Sequence, residues 1–361
     1  MNVPSVRFNT TDQREFVKTL RKNVNNYFKE NNISPRANTP MVIKSVVMFI
    51  WYFLPLTLML TGVVDSSLGV FALWVIMGFG MTGLSVAVTH DANHGAYSKN
   101  QKVNDALSYL MNLMGAYHMN WRIQHNVLHH SYTNISGYDE DIAANVMRFS
   151  PHQKKRWIYR FQVIYAPILY SLMTISWMTA KDFTSLYRYH KMNLLNGQGL
   201  TYPKALTSLI INKVIYFSLL LVLPLILVDV PWYVTVAGFI TMQLICGGLL
   251  AFIFQCAHVQ EHAEFELPNE QGAMENNWAI HQLKTTANFA KKSRLFSWFI
   301  GGLNFQIEHH LFPNICHIHY RKISEIVKQT AEEYGIPYYE QGSFLSAVKG
   351  HLLLLNRLGT I

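Results

Sequence analysis

Four stretches of the chain run for about twenty positions almost without charge: residues 45–64, 68–88, 209–228 and 232–254. A helix rises about 1.5 Å per residue, so roughly 20 apolar residues are needed to cross about 30 Å of hydrocarbon. The pattern therefore predicts an all-α integral membrane fold with four transmembrane helices. The turns between them are short, 65–67 and 229–231, which pairs the spans into two hairpins. Two further apolar stretches, 106–119 and 161–178, are too short or too marginal to span and are expected to be re-entrant or interfacial helices. No repeat, low-complexity run or flexible linker marks a boundary. The layout is one membrane domain over 1–361: an N-terminal arm (1–44), a hairpin (45–88), a polar region (89–208), a second hairpin (209–254) and a C-terminal region (255–361).

Basic residues set the orientation. Neither turn contains Lys or Arg, and of 30 basic residues only Lys213 falls inside a span, a turn from its end, where it is expected to snorkel to the interface. The arm, the central region and the C-terminal region then share one side, which the positive-inside rule makes the cytoplasm. If 161–178 crossed the bilayer, the regions flanking it would face opposite compartments.

Composition agrees with this layout. Half the residues are hydrophobic and only 14% are charged, against about 25% in a typical soluble domain. The net charge of +9 lies around the spans, which suits anionic membrane lipid and not nucleic acid. Cys246, Cys256 and Cys316 form no Cys-x-x-Cys pair and suggest no disulfide framework. The polar start of the chain gives no sign of a cleavable signal peptide.

Nine of the 16 histidines fall in four tight groups, all on the predicted cytoplasmic face. They are His90 and His94 in THDANHGAYS, His125, His129 and His130 in WRIQHNVLHHSYTN, His258 and His262 in AHVQEHAEF, and His309 and His310 in FQIEHHLFP. On an α-helix, spacing by four puts two imidazoles on one face, and His130 is expected to point about 100° away from its neighbour His129. Nine imidazoles exceed what one metal takes but suit two. Zinc, copper and iron all accept imidazole. Zinc has no redox activity, and a site opening toward acyl chains faces unactivated C–H bonds, so iron with O2 is the hypothesis adopted. Asp91, Asn93, Asn126, Asp139, Asp141, Glu261 and Glu308 lie within or beside the groups and are candidates to hold imidazole N–H groups. His118, His152, His190, His281, His317, His319 and His351 are read as structural, with His281 the foremost exception.

These motifs resemble the membrane fatty acid desaturases, which have three histidine boxes and a further histidine after the last span. The resemblance covers nearly the whole chain, and QIEHHLFP is its most specific part. It implies a helical bundle with a cytosolic helical cap holding two iron ions. The implied ligands are His90, His94, His125, His129, His130, His262, His309 and His310, with His258 ligating directly or through water. Gln306 replaces the first histidine of the third box, a feature similar to the front-end group, which includes linoleoyl (delta-6-like) enzymes. No His-Pro-Gly-Gly haem motif is present, so electrons are expected from a separate ferredoxin or cytochrome b-type protein. The implied reaction uses O2 to put a cis double bond into an acyl chain carried as acyl-CoA or acyl-lipid. Trp121, Trp278, Thr285, Thr286 and Asn288 are candidates to line the path of that chain.

Three alternatives are weighed. His258, Glu261 and His262 also fit the His-x-x-Glu-His pattern of zinc proteases, which leaves seven clustered histidines unexplained. A hydroxylase or ketolase of the same di-iron superfamily shares the box chemistry, but the QIEHH form favours desaturation. A membrane haem protein or metal transporter needs histidines or ionisable groups deep within the spans, and the predicted spans hold no His, Asp, Glu or Arg.

Overall fold

The computed structural model describes residues 6–143 and 146–360. The described chain is mostly helical, and its two-residue strands, Asn288–Phe289 and Glu340–Gln341, pair in parallel. It divides into two compact units, one of residues 38–123 and 167–251, the other of 6–37, 124–166 and 252–360.

Four helices are long and apolar enough to cross a membrane: Thr39–Leu60, Ser67–Asn93, Tyr202–Leu227 and Trp232–His258. All except the fourth start before the expected position, and the second and fourth run past their apolar stretches. Hydropathy does not see helix caps. Asn38 accepts the Met41 N–H and Pro40 occupies the first turn, so the first helix starts at Thr39 and takes in Lys44, which is buried. Asn38 is thus a helix start that the charge pattern hides. The second helix begins at the Ser66 cap and carries His90 and Asp91 near its end, and the fourth ends on His258. These residues lie past the apolar stretches, which themselves hold no histidine or acid.

In the first unit, glycines bring helices close. A Cβ on Gly80 would lie 2.7 Å from the Trp51 carbonyl, and one on Gly238 would lie 2.2 Å from the Trp74 ring. Small residues at such crossings are how membrane helices gain dispersion contacts. The helices Trp157–Ser171 and Met173–Lys191 meet at a bend of 57°.

The snorkelling expected of Lys213 is overturned. The residue is 7% exposed, and its ammonium donates to the carbonyls of Gly115 (2.7 Å) and Trp177 (2.8 Å) and to Asp182 Oδ2 (2.6 Å). With three proton donors and three buried acceptors, it has no reason to reach water.

The second unit has its own apolar core. Phe16, Leu20, Val24 and Phe28, four apart along Arg14–Glu30, pack with Ile323, Val327 and Ala331 of Tyr320–Glu333. Burying each of the large side chains is worth roughly 1.5–3 kcal/mol. The same core includes Ala279, Ile280 and Leu283 of Trp278–Thr285 and Ile307 and Leu311 of Gln306–Leu311, which anchors the helix that carries His309 and His310.

Candidate metal centre

Box two does not lie on an α-helix. Residues Arg122–His129 form a π-helix, in which i and i+5 are neighbours along the chain's hydrogen bonding. His130 points away from its neighbour His129, as expected, and the π-turn also brings it to His125, which the i,i+4 reading does not suggest, with Nε2 atoms 3.2 Å apart. The Nε2 of His309 lies 3.0 Å from that of His130 and 3.4 Å from that of His125. With metal–nitrogen bonds of about 2.1 Å, two ligands on one metal lie roughly 3.0 Å apart at an octahedral angle and about 3.4 Å at a tetrahedral one. The three atoms therefore have the separations of ligands to one ion.

A second triad adjoins the first, and His310 also groups with His130 and His309. Ring nitrogens of His129, His258 and His310 lie within 4.8 Å of one another, and their ring centroids are 4.7 to 4.9 Å apart. The rings of His130 and His310 stack at 4.3 Å, so the two triads share a wall. All six imidazoles are buried.

Proton placement suits metal binding. His310 Nδ1 donates to Gln282 Oε1 at 2.8 Å, which leaves Nε2 as the lone-pair atom, and that atom is buried without a hydrogen-bond partner. Burial and then the neighbouring histidines push the His310 pKa well below its ordinary value, so the ring is neutral. His129 Nδ1 faces Asp139 at 3.1 and 3.2 Å and Asp141 at 3.4 Å. Burial opposes the charged ring, but the two carboxylates outweigh it and raise the His129 pKa to about 9. Asp139, fully buried, also accepts the backbone N–H groups of Asn134 and Asp141, and these contacts with His129 hold its own pKa below the usual carboxylate range. A carboxylate on Nδ1 fixes the tautomer and makes Nε2 a stronger donor.

Glu308 does not face an imidazole nitrogen. It accepts from Asn288 Nδ2 (2.8 Å) and Tyr338 OH (3.0 Å), and burial pushes its pKa up to about 7. The Asn288 amide is thus committed to Glu308, and its Oδ1 accepts the Ile307 N–H that opens the box-three helix. Gln306 is buried at the start of that helix. Glu261 is exposed. His262 rests on the Tyr339 ring at 4.5 Å, its Nε2 buried without a partner, and it joins neither triad among the described residues. His258 and His262 therefore do not form the shared site that a zinc protease needs.

His90 and His94 belong to the first unit, their rings 4.8 Å apart and both edge-on to Trp121 at 5.4 and 5.8 Å. The π-turn Ser85–Thr89 precedes them. Asp91 is buried with an oxygen 4.0 Å from His90 Nδ1. Asn93 accepts from Arg122 Nε at 2.9 Å, and Arg122 also binds Asp105 at 2.8 Å. Asn126, within box two, is half-buried.

Comparison with known proteins bears on this arrangement. The fatty acid desaturase family profile matches residues 66–342. The chain belongs to the fatty acid desaturase family. It is 35% identical over 358 residues to the sn-1 linoleoyl-lipid 6-desaturase of Synechocystis sp., covering 98% of each chain. It is 33% identical over 352 residues to the sn-1 linoleoyl-lipid 6-desaturase of Arthrospira platensis, covering 95% of this chain and 92% of that one. Identity is also 33% over 360 residues to the acyl-lipid (8-3)-desaturase of Physcomitrium patens, covering 98% of this chain and 74% of that one. The protein is an acyl desaturase, an oxidoreductase of the membrane.

Sequence reading of this desaturase missed three residues that shape the centre. Gln282 fixes His310. Thr133 Oγ1 lies 2.9 Å from Gln282 Oε1 and 2.8 Å from the His129 carbonyl. Asn134, at φ 59°, ends the box-two helix and donates its amide to the His258 carbonyl at 2.8 Å. An Asn just past a helical run is a C-terminal signal that was available in the sequence. Gln282 carried no such mark. His281, the foremost exception among the structural histidines, is held by the Thr133 carbonyl at 2.8 Å.

Proposed function

We propose that this desaturase binds two iron ions and acts from the cytoplasmic face as a front-end enzyme on lipid-linked acyl chains. The observation that supports the di-iron reading is one buried cluster of six imidazoles, in which His125, His130 and His309 have Nε2 atoms at ligand-like separations and His129, His258 and His310 group beside them. The resemblance of the boxes adds His90, His94 and His262 to the ligand set, and the partnerless buried Nε2 of His262 supports keeping it there. The proposed arrangement is two span hairpins bearing a cytosolic helical cap.

When bound, iron supplies the oxidising power that O2 and two electrons deliver against an unactivated C–H bond. The overall change is –CH2–CH2– plus O2, two electrons and two protons to cis –CH=CH– and two waters. The electrons come from a separate ferredoxin or cytochrome b-type protein. The residues of this chain hold the ligands in one tautomer: Gln282 keeps the proton on His310 Nδ1 and Asp139 keeps it on His129 Nδ1, so that Nε2 of each is the metal-binding atom. The burial of the six imidazoles keeps water from competing for the site.

Front-end chemistry is supported by Gln306 at the start of box three, and a lipid carrier by the names of the Synechocystis, Arthrospira and Physcomitrium relatives. The test is expression in a host without polyunsaturated lipids, fed saturated, monoenoic and dienoic chains, with gas chromatography of each lipid class. A new cis bond toward the carboxyl end of a dienoic chain, found first in glycerolipid, is expected, and His309→Ala or His310→Ala should abolish it. An unchanged profile from iron-loaded protein with a competent donor overturns the reading.

A further inference from the structure

The buried pair Asp182 and Lys213 lies outside every histidine box, yet its bonds converge on one short segment. Lys213 donates its three protons to Gly115 O, Trp177 O and Asp182 Oδ2. Asp182 Oδ2 also accepts the Tyr117 N–H at 2.9 Å, while the Asn120 amide donates to Asp182 Oδ1 at 3.2 Å and to its carbonyl at 2.7 Å. Between them, the two side chains tie down residues 115, 117 and 120.

That segment has no regular helix to hold it. Residues Leu110–Met114 are a 3-10 turn ended by Gly115 at φ 88°, and a new helical turn, His118–Trp121, starts three residues later. A Cβ on Gly115 would lie 3.0 Å from the Tyr216 ring, so the chain is also confined sterically. In a membrane-embedded unit such backbone needs protein partners, and an ion pair is a costly way to supply them. A neutral acceptor alone would satisfy Tyr117. What the pair adds is rigidity in several directions at once, just where the helical turn delivers Trp121 edge-on to both His90 and His94.

We propose that Asp182 and Lys213 are positioning residues for the first histidine box, acting through Trp121. The inference rests on the reading that His90 and His94 serve the metal centre. The Tyr117–Trp121 turn is the mechanical link: Tyr117 at its start and Asn120 are bound to Asp182, and Trp121 at its end touches the histidine rings.

The experiment is a double-mutant cycle on the full-length protein in detergent or nanodiscs, reading kcat, KM and iron per folded protein. Asp182→Asn should lower kcat at least tenfold with KM within about twofold, and lower the retained iron. Trp121→Ala should do the same, and the double variant should be no worse than Trp121→Ala alone, because both act on one link. Because an unpaired buried ammonium can prevent folding, the neutral pair D182N/K213M is run alongside, with the same losses expected from folded protein. A folded single or neutral-pair variant with kcat and iron within twofold of wild type overturns the proposal. So does a double variant whose loss is the product of the singles. Wild-type protein that holds no iron would sink the metal reading itself, a result distinct from either.

Discussion

Gln282 Oε1 accepts the Nδ1 proton of His310 at 2.8 Å, and the opposite nitrogen of that ring is buried with no hydrogen-bond partner. The two residues are 28 apart in the chain and meet because helices Trp278–Thr285 and Gln306–Leu311 share an apolar core. Replacing Gln282 with Leu removes the acceptor without changing size greatly. Loss of such a partner typically costs about 10–100-fold in metal affinity or activity. Iron retained against a chelator, measured beside the desaturation rate, should fall together; wild-type iron retention in Gln282→Leu would show that the tautomer needs no such clamp.

Asp139 serves His129 in the same way but with charge. Asp139→Asn keeps the shape, so the fold should persist, while the charge that supports the His129 donor is lost. An activity decrease of roughly 10–100-fold is expected. Iron retention and a desaturation rate equal to those of the wild type would count against this role.

His351 predicts a stability trend with pH. It is fully buried, its Nδ1 donates to the Val259 carbonyl at 2.9 Å, and burial depresses its pKa from 6.5 to about 4. The unfolded chain therefore binds the proton first. The contribution is fully present above pH 6.5 and is lost as pH falls toward 4, a change of up to about 3 kcal/mol. Thermal midpoints of wild type and His351→Phe, taken from pH 7 to pH 4.5, should converge as pH falls; parallel curves would show that another group is responsible.

Gly80 tests the packing of the first two spanning helices. A methyl group there would meet Trp51 backbone at 2.7 Å, a part of the chain that cannot rotate away. Overpacking of this kind costs about 1–3 kcal/mol. Gly80→Ala should lower the thermal midpoint in detergent, and an unchanged midpoint would mean that the helices separate easily.

The spans and the boxes were legible in the sequence because both are local signals. The uncharged run 68–88 needs no partner to be recognised, and QIEHHLFP is one continuous string. What local pattern does not contain is how an imidazole meets another 179 positions away, as His130 meets His309. The π-helix of box two is a tertiary choice too: an α-helical reading of the same letters does not bring His130 beside His125. Lys213 shows the same limit in the membrane. Hydropathy gave it a route to the interface, but Asp182, Gly115 and Trp177, distant in sequence, offered it buried acceptors. By itself, the sequence determined the histidine groups that are candidates for the chemistry and the four stretches apolar enough to cross a membrane. The tertiary structure decided which nitrogens converge and which residues hold their protons, because hydrogen-bond geometry depends on where separate helices are packed.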